Sequence, residues 1–147
     1  TDVDTTPLLG RQNLYVASYD GGVYALERET GAVVWREPTR GVIAINGRGN
    51  RVFAAQSGEG VLALDATDGT ELWRRDLGAA TYYHPESFRD LIIVPDSRQG
   101  LTALRLEDGA VVQRYAVGGG ASGGIELVGA SAFLLSNGGT LAALSVR

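Results

Sequence analysis

The sequence predicts an all-β chain of radial four-stranded sheets, a β-propeller, on three observations. An apolar block recurs four times at a spacing near 40 residues, opening at Leu14, Val52, Ile92 and Ala132, with offsets of 38, 40 and 40. Each block is cut into short runs of Val, Ile, Leu, Tyr and Phe by Gly, Asp, Asn or Ser, which leaves little room for helices. Glycine accounts for 21 of 147 residues, about twice the usual ~7%, as many tight turns require.

In the first unit, Thr6–Leu9 reads as one strand and Leu14–Ala17 as the next. Tyr19-Asp20-Gly21-Gly22 turns the chain into Val23–Leu26, and Thr30-Gly31 turns it again into Ala32–Arg36. The second unit repeats this with Val42–Asn46, Val52–Ala55, a Gly58-Glu59-Gly60 turn, Val61–Leu64, an Asp68-Gly69 turn and Thr70–Arg75. The third runs from about Tyr82–Glu86 through Ile92–Pro95, Arg98-Gln99-Gly100, Leu101–Leu104 and Asp108-Gly109 to Ala110–Tyr115. The fourth has Ile125–Val128, Ala132–Leu135, Asn137-Gly138-Gly139 and Leu141–Leu144, and nothing corresponding to Thr70–Arg75. Four-stranded units in series are propeller blades, here about 5–36, 42–75, 81–115 and 124–147 of one partial propeller domain over 1–147, the last blade lacking one strand. Gly118–Gly124 reads as a flexible connection between the last two.

The outermost strands end in Trp35-Arg36, Trp73-Arg74 and Gln113-Arg114, and a tryptophan at a fixed repeat position suggests a structural role. There is no Trp-Asp dipeptide and no Gly-His pair, which argues against a WD-type propeller. The repeats resemble instead the eight-bladed propellers of pyrroloquinoline-quinone (PQQ) type, whose docking motif reads Ala-x-Asp-x-x-Thr-Gly-x-x-x-Trp. Ala25, Glu27, Thr30, Gly31 and Trp35 follow it with Glu for Asp; Ala63, Asp65, Gly69 and Trp73 follow it with Asp68 in place of Thr. The third copy keeps Ala103 and Gly109 but has Arg105 and Gln113, so it lacks the ring. The resemblance implies that Trp35 and Trp73 dock on the following blade, with Gly31, Gly69 and Gly109 as the structural docking positions, and that the four blades are half of an eight-bladed ring.

Within that family the opening Asp2-Val3-Asp4-Thr5-Thr6-Pro7 and the run from Tyr15 to Trp35 are similar to the propeller lipoproteins of the outer-membrane β-barrel assembly machinery. That similarity implies a non-catalytic protein-binding scaffold in the periplasm, held at the outer membrane by a lipid anchor upstream of Thr1. Its implied partner is the periplasmic domain array of the machinery's central barrel protein. Asp2 and Asp4 map onto the partner-facing surface; the alternative is that they only cap the turn before Pro7. The chain has no methionine, so it is expected to be a processed or excised piece.

Composition narrows the other possibilities. A formal charge of −4 with dispersed arginines gives no clustered basic surface for nucleic acid. No apolar run reaches the ~18 residues of a membrane helix. A quinoprotein dehydrogenase, the alternative built from the same blades, needs calcium ligands, a catalytic Asp and in many members adjacent cysteines; cysteine is absent, and Asp65, Asp68, Glu107 and Asp108 fall where turns want carboxylates. No catalytic residue, metal ligand or cofactor is therefore assigned. His84, in Tyr82-Tyr83-His84-Pro85-Glu86, reads as part of an aromatic cluster. A generic extracytoplasmic propeller binding peptide or carbohydrate remains a second reading. Unpaired sheet edges and uncovered faces also favour self-association.

Overall fold

The computed structural model describes residues 3, 5–121 and 123–145. It holds fifteen strands in four antiparallel sheets, each strand pairing with its neighbours in chain order. Sheet one comprises β1 (Leu8–Leu9), β2 (Asn13–Ser18), β3 (Gly22–Glu27) and β4 (Val33–Glu37). Sheet two comprises β5 (Val42–Arg48), β6 (Arg51–Gln56), β7 (Gly60–Asp65) and β8 (Glu71–Asp76). Sheet three comprises β9 (Glu86–Phe88), β10 (Leu91–Pro95), β11 (Gly100–Arg105) and β12 (Val111–Ala116). Sheet four has three strands, β13 (Glu126–Val128), β14 (Ser131–Leu135) and β15 (Leu141–Ser145).

Side chains alternate between the two faces of a strand, so a sheet packed on both sides needs apolar residues at every position. Sheets two and three meet that need. β6, β7, β10 and β11 are buried along nearly their whole lengths. Val52, Ala54, Leu62 and Leu64 face sheet one, meeting Tyr15, Ala25 and Trp35, whereas Phe53, Ala55, Val61 and Ala63 face sheet three, meeting Tyr82, Ile92 and Val94. A third cluster joins sheets three and four through Ile93, Leu101, Ile125 and Leu134. No described cluster joins sheet four to sheet one, so the four blades form an open row. The end sheets accordingly alternate: in β14 and β15 Leu135 and Leu141 are 56% and 70% exposed.

Two edge strands are shorter than the sequence pattern suggests, and a proline explains each. β1 starts at Leu8 rather than Thr6, after Pro7; β9 starts at Glu86 rather than about Tyr82, after Pro85. Proline has no amide to donate to a ladder. Tyr82 keeps only an isolated bridge to Asp96.

The connection after β12 also differs from a flexible linker. The Gly120 amide donates to Val117 O at 2.8 Å, the Ala121 amide to Asp96 O at 2.8 Å, and Ala121 is fully buried. Gly120 is required there, because a Cβ would lie 2.3 Å from the Ser97 carbonyl oxygen.

One irregularity recurs in three sheets. Ala25 pairs with Trp35 while Leu26 pairs with Val33, so Val34 is an extra residue in β4; Leu72 and Val112 are its counterparts in β8 and β12. Such a bulge re-aims the next side chain. Here it turns Trp35 and Trp73 toward the following sheet while Val34, Leu72 and Val112 remain exposed.

The difference between interior and end sheets is measurable. Leu62→Ala, at a fully buried position, is expected to cost about 2–5 kcal/mol in urea unfolding, and Leu141→Ala to stay within about 0.5 kcal/mol of the parent.

Candidate functional site

The positions singled out by the repeat motif come together at the seams between sheets. Trp35 leaves β4 and lies over the turn between β7 and β8, where its Nε1 donates to the Ala66 carbonyl at 3.0 Å. The Tyr15 hydroxyl donates to the same oxygen at 3.1 Å, and the two rings sit 5.9 Å apart at a 40° tilt. Gly69 forms the seat: a Cβ there would stand 2.6 Å from the Trp35 ring, and its φ of +78° already favours glycine.

The next seam repeats this arrangement. Trp73 Nε1 donates to Leu106 O at 3.0 Å, Phe53 packs 5.9 Å away at 41°, and a Cβ on Gly109 would stand 2.4 Å from the ring. Arg51, in place of a tyrosine hydroxyl, adds a second donor to Leu106 O. Both indoles are 8% exposed.

Gly31 has the same conformation, with φ of +73°, and its amide closes the same turn onto Glu27 O at 2.9 Å. The space above it is open. At the opposite end, Gln113 occupies the tryptophan position of sheet three as an exposed residue, accepting a hydrogen bond from the Tyr115 hydroxyl at 3.0 Å.

Asp65, Asp68 and Asp108 in these turns are engaged with their own backbone or with close neighbours, whereas the Glu107 carboxylate makes no hydrogen bond among the described residues. Asp65 Oδ1 accepts the Thr67 amide at 2.8 Å and Asp68 Oδ1 the Thr70 amide at 2.9 Å; Asp108 Oδ1 accepts the Ala110 amide at 3.0 Å and its Oδ2 takes Arg105 at 2.7 Å. The Thr70 hydroxyl and amide hold the Asp68 carboxyl below its ordinary 3.8, and the Ala110 amide with Arg105 does the same for Asp108. Such depressed groups stabilise the fold above their unfolded value and lose that contribution as pH falls through the native one. Among the described residues, no cluster of three or more His, Asp or Glu side chains has the arrangement of a metal site.

His84 and Glu86 approach at 3.6 Å, the one pairing within that unusual segment, both partly exposed. Glu86 opens β9, while His84 precedes the strand. Asn46 ties the segment to sheet two by donating to Pro85 O at 2.6 Å.

Asp2 and Asp4 lie outside the described residues. The segment between them and β1 is nevertheless anchored. Buried Thr5 accepts the Ala17 amide at 3.2 Å and donates to Ala17 O at 3.3 Å, using one hydroxyl to imitate a strand pairing with β2. No pattern in the sequence marked Thr5 for that role. Beside it, Val3 is 57% exposed.

A cleft of about 520 Å³ opens between sheets one and two, lined by Leu8, Arg11, Arg48, Val52 and Thr67. A more polar one of about 370 Å³ lies between sheets two and three, against Tyr82 and Asp96. The Tyr82 hydroxyl donates to Gly78 O at 2.6 Å. Burial, reinforced by the Asp96 charge, pushes its pKa up to about 12.

The family model described as outer membrane protein assembly factor BamB matches residues 2–146. Curated relatives with that name include the protein of Pseudomonas aeruginosa, 32% identical over 99% of this chain and 39% of its own length. That of Shewanella oneidensis is 30% identical over 79% of this chain and 30% of its own length. This chain therefore spans well under half the length of these relatives. Among solved structures, BamB from Moraxella catarrhalis superposes with a TM-score of 0.83 at 19% identity, over 97% of this chain and 50% of that one. The quinohemoprotein alcohol dehydrogenase of Comamonas testosteroni gives 0.68 at 21%, over 78% and 21%. At these identities the structural likenesses show a shared fold alone.

Replacing Trp35 or Trp73 by Ala is expected to cost about 3–5 kcal/mol by urea unfolding followed by circular dichroism. Gly69→Ala and Gly31→Ala share the penalty of a positive φ, about 1 kcal/mol. Gly69→Ala alone must displace a ring, so it should cost about 1–3 kcal/mol more. Because the Tyr82 pKa is raised on folding, its contribution is complete below the ordinary 10 and is lost as pH climbs through about 12. Melting temperature should fall across that interval, and less steeply in Tyr82→Phe.

Proposed function

We propose, from the premise that this chain belongs to the BamB family of outer membrane protein assembly factors, that it is part of a non-catalytic scaffold that binds protein and assists β-barrel assembly. The observation that carries this reading is the use to which the polar residues are put. The turn carboxylates, where a dehydrogenase built on such blades would look for ligands, hold their own turns together instead. What remains for recognition is the surface of a rigid row of sheets.

The partner-facing surface is assigned to the opening segment. Asp2 and Asp4 flank Val3, and Thr5 fixes the chain to β2 immediately after them. Two carboxylates next in sequence to the pinned Thr5 suit a basic or amide-rich patch on a partner, by charge complementarity. The partner in this reading is the periplasmic domain array of the machinery's central barrel protein, and the site of action is the periplasmic side of the outer membrane, reached through a lipid anchor outside this chain. Trp35 and Trp73, seated on Gly69 and Gly109, serve this function indirectly by keeping the blades in register, while Gly31 closes the corresponding turn of sheet one.

Reversing both charges, Asp2→Lys with Asp4→Lys, in the full protein should reduce capture of the partner's periplasmic domains by about tenfold or more, with unchanged far-UV circular dichroism. Undiminished capture would reject the assignment.

A further inference from the structure

The cleft between sheets two and three has a sister position between sheets one and two, and the two differ in a way that creates a binding recess. Gln56 and Asp96 close the second strands of sheets two and three, and Leu62 and Thr102 stand opposite Arg74 and Arg114 in the same register. In sheet two these residues fill the space. Gln56 Nε2 donates to Thr39 Oγ1 at 2.7 Å and to Arg40 O at 2.9 Å, its Oε1 accepts Arg74 at 3.0 Å, and Leu62 is fully buried.

In sheet three both fillers are cut back. Asp96 is one methylene shorter and turns onto its own hairpin, Oδ1 accepting the Arg98 and Gln99 amides at 2.9 and 2.7 Å. Thr102 replaces the leucine with a smaller, polar side chain. The result is the recess of about 370 Å³, lined by Leu77, Tyr82 and Gln99 together with Asp96, Thr102, Arg98 and Arg114. That volume lies at the small end of the ~300–1,000 Å³ usual for ligand sites.

Two features make it more than a packing defect. Thr102 is 2% exposed, and among the described residues its hydroxyl has no hydrogen-bond partner; Asp96 is 5% exposed, with its bonds all to Oδ1. Every side-chain polar atom closed off from solvent has a hydrogen-bond partner among the described residues, so the Thr102 hydroxyl and the second Asp96 oxygen are groups that the recess leaves reachable by water or a ligand. The guanidinium groups of Arg98 and Arg114 form no ion pair among the described residues, and each donates one hydrogen bond there, to Ala79 O at 2.9 Å and to Gln99 Oε1 at 3.4 Å.

We propose that this recess binds a small carboxylate bearing an amine or hydroxyl on the adjacent carbon, an α-amino or α-hydroxy acid or the free end of a peptide. The guanidinium forks of Arg98 and Arg114 take the carboxylate, as their planar geometry favours. The neighbouring N–H or O–H donates to Asp96 and exchanges a hydrogen bond with Thr102. This site is separate from the opening segment and does not rest on the scaffold assignment.

The test uses the full protein carrying these blades and isothermal titration with L-serine, L-lactate and a short peptide prepared with either a free carboxylate or an amide at its end. At least one free acid should bind saturably, and the amide about tenfold more weakly or not at all. Saturation by the small acids identifies a free metabolite, and saturation by the peptide acid alone identifies a chain end. The paired change Asp96→Gln with Thr102→Leu restores the filling of sheet two and should abolish binding. Arg114→Ala, an exposed substitution that leaves the packing intact, should weaken it about tenfold. The proposal fails if no probe saturates the folded protein, or if both variants, folded by circular dichroism, bind as the parent does.

Discussion

The interior sheets of this molecule have two apolar faces, and water must be kept from both. Sheets two and three are covered by their neighbours on each side. The constraint dictates the unusually continuous hydrophobic runs of β6, β7, β10 and β11, and it explains why the end sheets revert to alternation. Packing alone would allow neighbouring sheets to slide, because aliphatic surfaces are weakly directional. The indole rings remove that freedom: each is seated on a glycine of the next sheet and hydrogen-bonded to a carbonyl one turn away, so position and orientation are fixed together.

Much of this was legible in the sequence, because repetition turns a weak local signal into a strong one. The strands, the hairpin glycines and the two tryptophans occur at fixed repeat positions, and the glycines that receive the rings sit in the same motif. The lengths of β1 and β9 were not read correctly, although Pro7 and Pro85 stood at the places where the ladders stop. The Thr5 anchor was invisible because a threonine hydroxyl bonded across the sheet edge to Ala17 leaves no pattern. The buried recess was equally hidden: it emerges only when Gln56 and Leu62 are laid against Asp96 and Thr102 in three dimensions, since an Asp near a hairpin looks like one more turn residue.

The same division of labour bears on function. Carboxylates at Asp65, Asp68 and Asp108 are satisfied within their turns. In the scaffold proposed above, recognition falls to segments whose backbone is pinned while their side chains are not. Exposed turns of this chain can be altered without disturbing the seams, because the rings and the glycines that seat them lie beneath the surface.

The seams also have a direction. Trp35 reaches forward to Gly69 and Trp73 forward to Gly109, separations of 34 and 36 residues along the chain. During synthesis the N-terminal side of each contact emerges first and waits for the other to leave the ribosome. Each blade thus completes its own docking only when the following one has been made, so cotranslational folding should advance with a lag of one repeat. A nascent chain paused after sheet one or after sheet two would display one unseated indole, a ready mark for a chaperone.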